Sequence, residues 1–157
     1  MKPLNDSARA GLLNMYLGVK VSRATAVLPQ GTAAALFTIA GGIVLMTAIY
    51  GEVTTAIGGG NATSLQANPT LGTAPGPDLC ATLDITSCKA GDLLSITGTP
   101  ADAMLASHVG CVQIQTVTGI FLQQGTLDLD CAGSVTGNIA WTLFYVPAEE
   151  GATVVAA

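Results

Sequence analysis

At 157 residues the chain is long enough for one domain with a buried core plus an appendage. Half of it is hydrophobic and only 10% is charged, against about 25% in ordinary soluble domains, which argues against a monomer kept apart from its neighbours by surface charge. The charge is also sorted. Lys2, Arg9, Lys20 and Arg23 against Asp6 give the first 23 residues +3, while the rest, with Lys89 against nine acidic residues, carries −8; such a body repels phosphate, which excludes nucleic acid as a partner.

The basic N-terminal arm is set at residues 1–26, ahead of a body at 27–157. Within the arm, Asp6 to Leu17 can form a short helix capped by Asp6 or Ser7, with Leu12, Leu13 and Tyr16 on one face and Gly18 at the C-terminal cap position. Gly11 weakens that helix, and a frayed tail is the competing reading.

Thr32–Tyr50 is 19 residues without charge, the length of a spanning helix. However, Pro29, Gly31 and Gly41-Gly42 punctuate the region, and the run divides into two apolar segments about the glycine pair. We therefore expect two strands joined as a hairpin, not a membrane segment. Beyond the glycines both faces of the pattern are apolar, as in a strand covered on two sides. Gly58–Asn61 is expected to turn, and Thr70–Asp78, rich in Pro and Gly with Pro69, Pro75 and Pro77, to be an irregular loop.

Further strands are expected at Leu79–Ile85, Asp92–Thr97, Cys111–Thr116, Gly119–Gln123, Gly125–Cys131 and Asn138–Val146. A short helix is predicted from Thr99 to Ser107, with Pro100 at its first position. Asp128 and Asp130 are expected to face solvent, and Glu149-Glu150 to open a small-residue tail. The whole predicts a mainly β protein: an antiparallel β-sandwich or jelly-roll-like domain with one short helix, preceded by the N-terminal arm.

Chemistry-bearing patterns are sparse. His108 is the single histidine, and no G-x-S-x-G elbow accompanies it, so a loop or interface role is expected in place of catalysis. One histidine also speaks against metal sites of the usual histidine-rich kind, and the expected metal and cofactor content is none. Cys80, Cys88, Cys111 and Cys131 lack C-x-x-C spacing; they can be disulfide-bonded in three connectivities or remain free thiols in a β core. The sequon Asn61-Ala62-Thr63 matters only in an exported chain.

Several segments resemble a group of tailed-bacteriophage virion proteins. They are Leu36–Gly42, Tyr50–Thr55, Ala67–Thr70, Asp78–Ile85, Ile96–Thr99, Gly125–Ala132 and Trp141–Pro147. The resemblance covers about Val27 to Thr153 and leaves out the arm. It implies a non-enzymatic structural part of the virion, with a capsid cement or decoration protein on the outer shell as the leading expectation. The implied partners are the major capsid protein and further copies of the chain, expected as a trimer, with no nucleic acid and no membrane. A tail, neck or fibre-base component is the alternative, as is a host-recognition or carbohydrate-binding sandwich. Cys80 and Cys131 lie inside the resembling segments while Cys88 and Cys111 do not, which implies the pairing 80–131 and 88–111. Anchoring is expected from Lys2, Arg9, Leu12, Leu13, Tyr16, Lys20 and Arg23.

Overall fold

The structure of the chain is a computed structural model that describes residues 6–60, 62–72, 76–108, 110–112, 119–134 and 136–157. Lys2, the sequon residue Asn61 and most of the strand expected at Cys111–Thr116 lie outside the described residues. A helix, α1 (Asp6–Leu17), leads into β1 (Val19–Val27). Then come β2 (Thr32–Ala40), β3 (Val44–Gly58), β4 (Ala62–Pro69), β5 (Leu83–Asp84), β6 (Leu93–Ser95) and β7 (Leu105–Ser107). β8 (Ile120–Leu122), β9 (Gly125–Cys131), β10 (Thr136–Pro147) and β11 (Thr153–Ala156) complete the chain.

The strands form two antiparallel sheets. Sheet A runs β1-β10-β3-β6-β7, with β8 also on β3; sheet B runs β11-β2-β9-β4-β5. Their inner faces bury one apolar cluster that includes Phe37, Ile39, Leu65, Leu127 and Leu129 from sheet B and Ile49, Val53, Ile139, Trp141 and Leu143 from sheet A. The expected β-sandwich is thus the architecture, and it arises because each sheet has one continuous apolar face to cover.

The Gly41-Gly42 pair does not make the expected hairpin. β2 belongs to sheet B and β3 to sheet A, so the pair is a corner that carries the chain between the layers. Both glycines have positive φ, 77° and 139°. A Cβ at Gly41 would meet the Gly151 carbonyl oxygen at 2.3 Å, and one at Gly42 would meet Glu149 Oε2 at 2.3 Å. Glu149, expected as a solvated tail residue, instead accepts a hydrogen bond from the Ile43 N–H at 3.0 Å and closes the corner. Thr32–Tyr50 is therefore strand, corner and strand, and no helix among the described residues is long and apolar enough to cross a membrane.

The two-sided apolar pattern of β3 has a local cause. In its ladder with β10, Ala48 pairs Phe144 and Met46 pairs Tyr145, leaving Thr47 as an extra residue. Such a bulge swaps the faces of a strand. Val44 and Met46 are buried before it, Ile49 and Val53 after it.

Three further expectations are corrected. Residues 19–26, assigned to the arm by charge, form β1 and pair with β10 from Val19↔Tyr145 to Val27↔Asn138. The helix predicted over Thr99–Ser107 is a turn followed by β7. Asp102 N–H donates to the Thr99 carbonyl, and the Thr97 hydroxyl donates to Asp102 Oδ2 at 2.9 Å. Ala81 N–H donates to the Asp102 carbonyl and Met104 N–H to the Ala81 carbonyl, which takes the backbone groups a helix would need. Asp128, expected to face solvent, is buried, because β9 is flanked by β2 and β4; Asn68 Nδ2 donates to its Oδ2 at 3.4 Å.

Candidate functional site

The expected anchoring residues divide between two elements. Arg9, Leu12, Leu13 and Tyr16 lie on α1, whereas Lys20 and Arg23 lie on β1. α1 ends as its sequence requires. Gly18 takes φ +88° and donates its N–H to the Asn14 carbonyl at 3.0 Å, a left-handed stop that only glycine adopts cheaply. The helix is tied down at this same end, where the Thr47 hydroxyl of the β3 bulge donates to the Leu17 carbonyl. The bulge that swaps the β3 faces thus also supplies the anchor for the arm.

Away from that anchor, the described large side chains of α1 are largely exposed. Leu12 is 53% exposed, Leu13 40%, Met15 86% and Tyr16 79%. The neighbouring strand ends add Val19 and Val146, also exposed. Arg9 and Lys20 are exposed beside them, while Arg23 is half-buried and donates from Nε to the Ala157 carbonyl oxygen at 3.2 Å. The residues named by charge and periodicity therefore do not act as one set. Those on α1 form an exposed apolar ridge with one cation, Lys20 sits on the adjoining strand, and Arg23 is spent within the body.

A second constellation lies at the other edge of sheet A. β6 and β7 pair with Leu93 opposite Ser107, so Asp92, one residue before β6, meets His108, one residue after β7. The imidazole Nδ1 and Asp92 Oδ2 are 2.8 Å apart. Asp92 is buried and His108 more than half exposed. Oδ2 also accepts from the Lys89 N–H at 2.7 Å. That backbone donor first, and the imidazole second, hold the Asp92 carboxyl below its ordinary pKa. Cys88 is buried beside them, and its Sγ, an Asp92 carboxylate oxygen and a His108 ring nitrogen all lie within 4.8 Å of one another. Burial pushes the Cys88 thiol up, and the nearby Asp92 and Asp84 carboxylates add to the effect.

This cluster escaped the sequence reading. Cys88 and Asp92 are four apart and His108 sixteen further on, which matches no familiar ligand spacing, and β7 was expected to be helix. The signal that could have found it is the pair of similar triplets, Leu-Leu-Ser at 93–95 and Leu-Ala-Ser at 105–107, read as a hairpin with Asp92 and His108 flanking its open end. Ser87 lines the same open depression, yet among the described residues no hydroxyl is hydrogen-bonded to His108.

Cys80, Cys88 and Cys111 are free thiols in this structure, so neither pairing implied by the resemblance, 80–131 or 88–111, is formed. Cys80 Sγ accepts from the Leu65 N–H at 3.4 Å, and Cys131 Sγ lies 3.8 Å from the Thr63 hydroxyl, so both sit against β4 in the core. Cys111 is exposed, with Sγ 3.9 Å from the Ser107 hydroxyl. Compared with family models, curated proteins and solved structures, the chain matches none.

Proposed function

We propose that the protein is a non-enzymatic structural component of a tailed-phage virion, a cement protein that binds the outer face of the capsid and reinforces it as a homo-oligomer. The observation that carries this reading is α1. It offers Leu12, Leu13, Met15 and Tyr16 to the outside while its own body holds it at one end. A helix this short is marginal alone in water, and burying each of these side chains contributes about 1.5–3 kcal/mol. A partner surface that covers the ridge supplies what the body does not. On a closed shell the same weak contact is repeated many times, and avidity multiplies it. The charge-poor surface of the body and the segments that resemble phage virion proteins support the same reading.

The test is a truncation that removes residues 1–17 and leaves β1 intact. A deletion to residue 23 would take Val19–Arg23 out of the sheet and confound binding with folding. The shortened protein is expected to remain folded and to lose co-sedimentation with capsids. Full occupancy of capsids by it would overturn the proposal, and recovery with isolated tails in place of heads would reassign the protein to the tail.

A further inference from the structure

We propose that Cys88, Asp92 and His108 form a binding site for one zinc-class divalent cation, which clips the turn after β5 to the end of β7. The donor set is the first argument. A thiolate, an imidazole and a carboxylate together are the ligands zinc prefers, and magnesium or calcium would call for oxygen alone. Distance is the second. Ligand atoms around a tetrahedral zinc stand about 3.3–3.8 Å apart, given bonds of 2.0–2.3 Å. The three donors here already lie within 4.8 Å of one another; on binding, the His108–Asp92 pair, now 2.8 Å apart, exchanges its hydrogen bond for the ion and opens by a fraction of an ångström.

Preorganisation is the third argument. The turn that carries Cys88 and Asp92 is pinned to β3: Ile57 N–H donates to the Cys88 carbonyl, Gly91 N–H to the Val53 carbonyl, and Val53 N–H to the Asp92 carbonyl, all within 2.9 Å. The Lys89 N–H fixes the Asp92 carboxylate from behind, as outer hydrogen bonds do around bound metals. His108 is held opposite by the β6–β7 register. Entry is open, because Ser87, Lys89, Asp92 and His108 line a depression that faces solvent. The Lys89 ammonium is a nearby cation; against it stand the Asp92 carboxylate, the Asp84 carboxylate near Cys88, and the thiolate that forms when the metal displaces the Cys88 proton to solvent. Three protein ligands leave the fourth position to water. The site is independent of the virion reading, since α1 and β1 occupy the opposite edge of the sheet.

The test is titration of the reduced, chelator-stripped full chain with Co2+ and then Zn2+. One Co2+ per chain is expected, with tetrahedral visible bands and a thiolate-to-cobalt charge-transfer absorption that Zn2+ abolishes. Cys88→Ser should remove the charge-transfer absorption. His108→Gln, at an exposed position, should weaken Zn2+ binding by roughly 100-fold or more while leaving the chelator-treated fold unchanged by circular dichroism. Cys111→Ser should keep the full spectrum. Absence of stoichiometric binding, a charge-transfer band that survives Cys88→Ser, or one that depends on Cys111 instead would each overturn the assignment.

Discussion

Sheet A is finished differently at its two edges. At the β1 edge, α1 leaves an apolar ridge in the open, with Leu12, Leu13, Met15 and Tyr16 uncovered. At the β7 edge, polar groups converge and satisfy one another, with Asp92 accepting from both the Lys89 N–H and the His108 ring. Edges invite pairing with other chains and have to be managed. One edge here leaves apolar side chains exposed, while the other pairs its polar groups around a depression open to solvent. The contrast teaches that a partner is to be sought beside α1 and a small ligand beside β7.

The largest expected effect lies between the edges. Trp141 is fully buried on β10, the strand that joins β1 to β3. Trp141→Ala should cost about 3–5 kcal/mol, read as the urea midpoint. It should lower hydrogen-exchange protection at both edges together; protection lost at one edge alone would show that the sheet is not a single cooperative unit. Gly18→Ala comes next and acts on the β1 edge. At φ +88° its Cβ would stand 2.2 Å from the Tyr145 carbonyl oxygen, and strain of this kind costs about 1–3 kcal/mol. Exchange should quicken around residues 14–21 while β7 is unchanged.

At the β7 edge the prediction is one of pH. The Asp92 carboxyl is held below its ordinary value by the Lys89 N–H and then by His108. In acid the unfolded chain therefore binds the proton more readily than the folded one. The contribution is complete above the ordinary carboxyl pKa of about 3.9 and disappears as pH falls below it. In chelator, the urea midpoints of the wild type and Asp92→Asn should differ near neutrality and converge in strong acid. A gap that persists there would mean that the carboxylate contributes no charge-dependent stability. The smallest effect on stability belongs to the ridge: Leu12→Ser, Leu13→Ser and Tyr16→Ser together should shift unfolding by only about 0.5 kcal/mol. Capsid binding is where their loss should register, and retained binding would break the contrast between the edges.

Much of this architecture could be read from residue patterns. The α1 boundaries and its glycine stop followed from capping chemistry, and β9 and most of β10 followed from apolar runs bounded by Gly and Pro. The misreadings have a common origin in competition from distant backbone groups. Pro100 after Thr99 is a sound helix start, but Ala81 claims the hydrogen bonds of Asp102 and Met104. Gly41-Gly42 is a sound hairpin turn, yet Glu149, 106 residues ahead of Ile43, helps make it a corner. β1 was obscured by charge, since Lys20 and Arg23 made an edge strand look like a tail. Of the candidate sites, the ridge was legible as a helical stripe and the Cys88–Asp92–His108 cluster was not.

The amino-acid sequence by itself determined the β-rich class, the acidic and charge-poor body, and a helix with an apolar stripe, because composition and short-range periodicity are local properties. Only the tertiary structure decided which sheet each strand joins, that Thr47 bulges to hold Leu17, and that His108 stands against Asp92. Those outcomes depend on register between distant strands, where a shift of one residue exchanges the faces and parts the partners.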